Sequence, residues 1–145
     1  MNIADCLVKA FPKATSWARV EDIEANPNLM ELRGSVDLIA AVPVYMLWCV
    51  HHPDSSELVS DFTLAALAEY GRCKSPENPH LNFRFRCSTE QLEVVVSFLE
   101  WSSHAVQFQQ AEMIERSLRN WKDAVNKSQP FQWRRSEFKL PGRAE

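Results

Sequence analysis

Thirteen consecutive residues, Leu38 to Val50, carry no charge, and Pro43 stands in their middle. A bilayer core needs about twenty apolar residues, so a run of this length belongs inside a protein rather than across a membrane. Reading from Ser35, SVDLIAAVPVYMLWCVHHP offers Ser35 as an N-cap and Asp37 in the first turn, where the helix dipole favours an acid. Apolar side chains then face every direction, as in a helix at the centre of a domain. Val42, Val44, Tyr45 and Val50 suit a strand, but Ala40, Ala41, Met46, Leu47 and the length of the run favour helix. Pro43 removes one backbone hydrogen bond at a cost of about 3 kcal/mol, so the helix is expected to bend or restart there.

The flanking sequence reads as further helix. In NIADCLVKAF, Asn2 is available as N-cap, Ile3, Leu7 and Ala10 or Phe11 share a face, and Pro12 stops the helix. Glu21 to Ala25 make one or two turns before Asn26-Pro27. His51-His52-Pro53-Asp54 is a breaker; Asp54, Ser55 or Ser56 then caps a helix containing Val59, Phe62, Leu64, Leu67 and Tyr70, which Gly71 ends. Residues 71 to 88 read as a long loop, in which the alternation of Leu81-Asn82-Phe83-Arg84-Phe85-Arg86 suggests one short strand. Ser88 and Gln91 have the spacing of a capping box. Helix follows from Thr89 to about Asn126, with an interruption expected near Ser102; Leu92, Val95, Val96 and Leu99 mark its first apolar face, and Ala111, Ile114, Leu118, Trp121 and Val125 its second.

The fold class is therefore all-α: a single-domain irregular helical bundle over residues 1 to 128, with a short strand admitted near residues 81 to 86. Residues 129 to 145 form a basic aromatic tail that carries Phe131, Trp133, Arg134, Arg135, Phe138, Lys139 and Arg143. Near its start the chain has Asp5 and Lys9 where a signal peptide needs an unbroken apolar region, and its four cysteines make no CxxC pair. A reducing cytoplasm is the expected compartment.

Charge is unevenly distributed. Residues 20 to 70 hold nine acids and one base, a net −8, while residues 71 to 145 hold twelve bases and nine acids. The acidic half repels a phosphate backbone and suits a basic protein surface. Nucleic acid is not an expected partner.

Motifs that would fix a chemistry are missing. Phosphate-cradling and dinucleotide glycine patterns, HExxH and GxSxG do not occur, and no cofactor is expected. Cys49, His51, His52, Cys73, His80 and Cys87 fall within forty residues, but a zinc site delivers its ligands in closely spaced pairs and this spacing does not. Ser102-Ser103-His104 beside Glu100 has the residue types of a triad, yet helix neighbours point in different directions. The chain reads as a non-enzyme.

Five tryptophans are many for 145 residues, and tryptophan is enriched at binding hot spots. Trp121 lies on an apolar stripe and is assigned to the core; Trp17, Trp101 and Trp133 have polar neighbours and are interface candidates.

Val42-Pro43-Val44-Tyr45-Met46-Leu47, together with Ser88-Thr89-Glu90-Gln91 and Phe98-Leu99-Glu100-Trp101, resembles a family of small uncharacterised bacterial proteins that pair an apolar helix with an internal proline and a Thr-x-Glu-Gln helix. The likeness covers residues 36 to 101 and implies a bacterial, helical, non-enzymatic module.

The function expected from these features is that of a bacterial immunity protein or antitoxin, neutralising a partner toxin with a basic surface. Glu21, Asp22, Glu24, Asp54, Glu57, Asp61, Trp17 and Trp101 are the expected contact residues. Two alternatives stand beside it: a self-associating protein, such as a homodimer, or an adaptor, and a small metal-binding protein or enzyme built on Cys49, His51 and His52.

Overall fold

The computed structural model describes residues 2–15, 20–32, 37–105 and 111–128. Six α-helices make up the described chain: α1 (Ile3–Ala10), α2 (Val20–Ala25), α3 (Leu38–His51), α4 (Val59–Arg72), α5 (Thr89–Ala105) and α6 (Ala111–Ser128). Short 3-10 turns lie at Pro12–Thr15, Leu29–Leu32 and Phe83–Arg86. The fold is an all-α irregular bundle, with no strand among the described residues.

Helix α3 is the axis of the core. Every residue from Ala41 to Cys49 is buried, which is why its composition shows no polar face. The described start has Asp37 as N-cap, its carboxylate accepting from the Ile39 N–H, so Asp37 caps the helix instead of sitting in its first turn; Ser35 lies outside the described residues. The helix runs unbroken through Pro43 and does not restart there. Burial of the whole segment outweighs the one hydrogen bond that proline removes. The Tyr45 hydroxyl donates to the Asn26 carbonyl at 2.6 Å, tying the end of α2 to the middle of α3.

Helix α1 starts on its expected cap: the Asn2 side chain accepts from the Asp5 N–H at 2.9 Å. Helix α4 starts later than expected. Ser55 Oγ accepts from the Glu57 N–H in a local turn, and the helix begins at Val59 without any side-chain cap. It also runs past Gly71, because that glycine is needed for close packing against α6 rather than for a helix stop.

The strand expected at residues 81 to 86 is a 3-10 turn instead. Its apparent alternation has a tertiary cause. Phe83 is fully buried among Phe11, Tyr70 and Trp121, with ring centroids 6.2, 5.8 and 6.0 Å away, while Phe85 stays exposed under the Arg84 guanidinium, 4.1 Å from its ring centre. The loop before it is held by Arg84 Nη2 donating to the Cys73 carbonyl and Asn82 Nδ2 to the Pro76 carbonyl, both at 2.8 Å. Arg86 pairs with Asp37 and so fixes the turn to the start of α3.

The capping box at α5 is formed in both directions, Gln91 N–H to Ser88 Oγ at 3.2 Å and Ser88 N–H to Gln91 Oε1 at 2.9 Å. Helix α5 ends at Ala105 and α6 is a separate helix, so the interruption expected near Ser102 is found, three residues further on. Ser102 and Ser103 turn their hydroxyls back onto the Leu99 and Glu100 carbonyls, so neither competes with the helix. Thr89, at the start of α5, donates to Ser128 Oγ at the end of α6, which makes the two helices antiparallel. Ile114, Ser117, Trp121 and Ala124 form the buried face of α6. Trp121 is wholly enclosed, as its place on the stripe implied.

Candidate functional site

The acidic candidates lie on α2, in the connection from α3 to α4 and on the first turn of α4, and Glu24 reaches the C-terminal half of α3. Glu21 and Asp22 are exposed on α2, as is Glu24, whose carboxylate accepts from Trp48 Nε1 at 3.3 Å. Trp48 stacks on His52 with ring centroids 4.4 Å apart, and Pro53 and Asp54 follow directly. Asp54 and Glu57 are exposed in the connection to α4, and Asp61 is half-buried in the first turn of that helix. Partial burial raises the Asp61 pKa above its ordinary 3.8. Leu58, which follows Glu57 in the chain, is 54% exposed.

Ion pairs hold some acids of the described chain and leave others unpaired, Asp5, Glu77, Glu90, Glu112 and Glu115 among the latter. Among the described residues, Arg72 pairs with Glu69, Arg86 with Asp37, Lys122 with Glu100 and Lys127 with Asp123. No such pair involves Glu21, Glu24, Asp54, Glu57 or Asp61. The negative end of the α3 dipole points into the same region and adds to its potential.

A groove of about 330 Å³ opens between α1, α2 and α3. Ala4, Val8, Ile23, Val44 and Leu47 make its apolar walls; Asp5, His51 and His52 stand among the polar lining groups, and Trp48 closes one side. His52 Nδ1 lies 2.9 Å from the Trp48 carbonyl. A carbonyl only accepts, so Nδ1 carries the proton and Nε2 of the neutral ring is an acceptor. Trp48 Nε1 is likewise committed, to Glu24. Sequence reasoning did not single out Val8, Leu58 or Trp48 as functional; the one available signal was Val8, an apolar residue off the Ile3–Leu7–Ala10 face of α1.

The remaining candidates fall elsewhere. Trp101 is half-buried on α5 with its ring 5.7 Å from that of Phe98, and among the described residues no hydrogen bond or ring contact joins it to the acids. Trp17 lies outside the described residues, as does the tail from 129 to 145.

Cys49, His51 and His52 do not converge. The Cys49 thiol is enclosed against Ser60 and Thr63 of α4, and burial pushes its pKa up to about 11, whereas both histidines line the groove toward α1. An enclosed protonated thiol is a poor ligand or nucleophile. Among the described residues no three His, Cys, Asp or Glu side chains are grouped to hold a metal ion. The Ser102 and Ser103 hydroxyls both donate to carbonyls of their own helix, so neither is directed at His104.

No helix among the described residues is long and apolar enough to cross a membrane. Compared with known proteins, the chain matches no family model, no curated protein and no solved structure.

Proposed function

We propose that this chain is an immunity protein or antitoxin that binds a basic surface of a partner toxin through the corner formed by α2, the end of α3 and the start of α4. One observation carries the reading: Glu21, Glu24, Asp54, Glu57 and Asp61 take part in no ion pair among the described residues and belong to a stretch, residues 20 to 70, that holds nine acids and one base. An uncompensated field of this kind accelerates encounter with an oppositely charged protein and selects against acidic ones. Exposed Leu58, next to Glu57 in the chain, supplies an apolar contact.

The test replaces Glu21, Asp22, Glu24, Asp54, Glu57 and Asp61 together by lysine and measures association with a partner recovered from the native host or encoded by the adjacent gene. Association is expected to slow by at least tenfold at low salt and to lose its salt dependence. Undiminished inhibition of that partner by the reversed protein rejects this surface.

Self-association has one observation in its favour: a second groove of about 380 Å³ between α5 and α6, with Val96 and Val125 in its lining beside Glu93 and Lys122. Light scattering decides it, since a mass that stays monomeric over a wide concentration range excludes the reading.

A further inference from the structure

We infer that the groove between α1 and α3 is an anchor site for one lysine or arginine side chain of the partner. The inference rests on the partner-binding reading above and names the chemistry of the contact. Three observations carry it.

The first is size: about 330 Å³ lies at the lower end of ligand cavities and suits one long side chain rather than a cofactor or nucleotide. The second is the order of its surfaces. Val8, Ile23, Val44 and Leu47 offer apolar walls for a methylene stem, and Asp5 and His52 supply polar groups for its head.

The third is the inventory of hydrogen-bonding atoms. The donors Trp48 Nε1 and His52 Nδ1 are already used within the fold, by Glu24 and by the Trp48 carbonyl. The Asp5 carboxylate and His52 Nε2 remain, and both accept; exposed His51 adds one ring acceptor and one donor. An occupant that brings several donors and a positive charge on an aliphatic stem satisfies the acceptors; a carboxylate is repelled by Asp5. Glu24 and Asp54, either side of the Trp48–His52 stack in the chain path, extend the same preference beyond the groove. Lys9 follows on α1 but does not line the cavity.

The test needs no partner. The full chain, labelled with ¹⁵N, is titrated by NMR with N-acetyl-arginine amide, N-acetyl-lysine amide, N-acetyl-norleucine amide and N-acetyl-glutamate amide. Saturable shifts at amides of residues 4 to 8, 23 and 44 to 52 are expected with the two cations, at least fivefold tighter than with norleucine and absent with glutamate. Asp5→Asn, whose backbone N–H keeps its bond to Asn2, is expected to weaken the cations about two- to fivefold, the range of an exposed ion pair, and to leave norleucine unchanged. Equal shifts with all four probes, shifts confined to other surfaces, or none at all overturn the assignment.

Val8→Trp fills the groove from a position already 37% exposed and is the second arm. It is expected to abolish the cation-induced shifts while the remaining spectrum stays native. If a basic partner binds this variant as tightly as the original chain, the groove has no part in the contact and the acidic corner alone accounts for binding. Loss of binding on charge reversal but not on groove filling therefore separates failure of this inference from failure of the functional reading.

Discussion

Gly71 of α4 lies directly against the indole of Trp121 on α6: a methyl group at position 71 would stand 2.6 Å from Nε1 and 2.8 Å from Cδ1. The same Nε1–H donates to the Leu67 carbonyl one turn earlier at 2.9 Å, so the ring is fixed at both points. In an exposed helix interior, replacing glycine by alanine gains about 0.5–1 kcal/mol. Here the enclosed ring cannot yield, and Gly71→Ala is expected to destabilise the fold by about 1–3 kcal/mol, the range for overpacking a core. Urea unfolding followed by circular dichroism measures it, and a stabilised variant contradicts the α4–α6 packing.

Phe83 and Phe85 are two residues apart and should respond in opposite ways. Phe83 is completely buried between three aromatic rings, and its truncation to alanine is expected to cost about 3–5 kcal/mol. Phe85 is 39% exposed, and Phe85→Ala is expected to change stability by about 0.5 kcal/mol or less. Similar losses from both variants would indicate that the turn is packed differently.

Gln91 does more than complete a capping box. Its Nε2 donates to the Ala10 carbonyl at 2.9 Å, joining the first turn of α5 to the last residue of α1. Ser88→Ala removes a cap and is expected to cost about 0.5–2 kcal/mol. Gln91→Ala loses the Ser88 N–H partner and the Ala10 bond together, and is expected to cost about 1 kcal/mol more. Gln91→Glu keeps an acceptor for Ser88 but not the donor to Ala10, so an intermediate value in the same unfolding assay identifies the α1 bond.

Stability should respond to pH more on the alkaline side than on the acid side. Burial raises Cys49 from 9.0 to about 11, Cys87 from 9.0 to about 12 and Tyr45 from 10.0 to about 12, and raises Tyr70 further still. A raised acid favours folding while both states are neutral; that contribution is lost as pH climbs from the unfolded value through the folded one. Melting temperature is expected to fall steadily above pH 9. In acid two groups oppose each other: Arg86 holds Asp37 below 3.8, so its contribution disappears on acidification, whereas raised Asp61 favours folding once protonated. A steep acid limb beside a flat alkaline one would contradict these environments.

Local patterns made most of the helices legible. Asn2, the Ser88–Gln91 box and the charge-free run around Pro43 act over three or four residues, or through the average polarity of a segment, and each marks a helix that forms. Trp121 was readable as core because its neighbours on the stripe repeat at helical spacing. Two misreadings share a cause: Gly71 as a stop and the strand at Phe83 each assigned by local propensity a position whose state is set elsewhere, whereas the interruption expected near Ser102 is borne out by separate helices ending at Ala105 and starting at Ala111. Trp121 occupies the space beside Gly71, and three rings from separate segments hold Phe83.

The sequence by itself determined that the chain is helical, that one greasy helix lies at its centre and that residues 20 to 70 are strongly acidic. Only the tertiary structure decided which acids hold a cation among the described residues, how Glu24 reaches Trp48 across α2 and α3, and where a groove opens between α1, α2 and α3. Periodicity and capping act within a few residues of one segment. Which faces meet depends on contacts between residues far apart in the chain, where no local pattern records the partner.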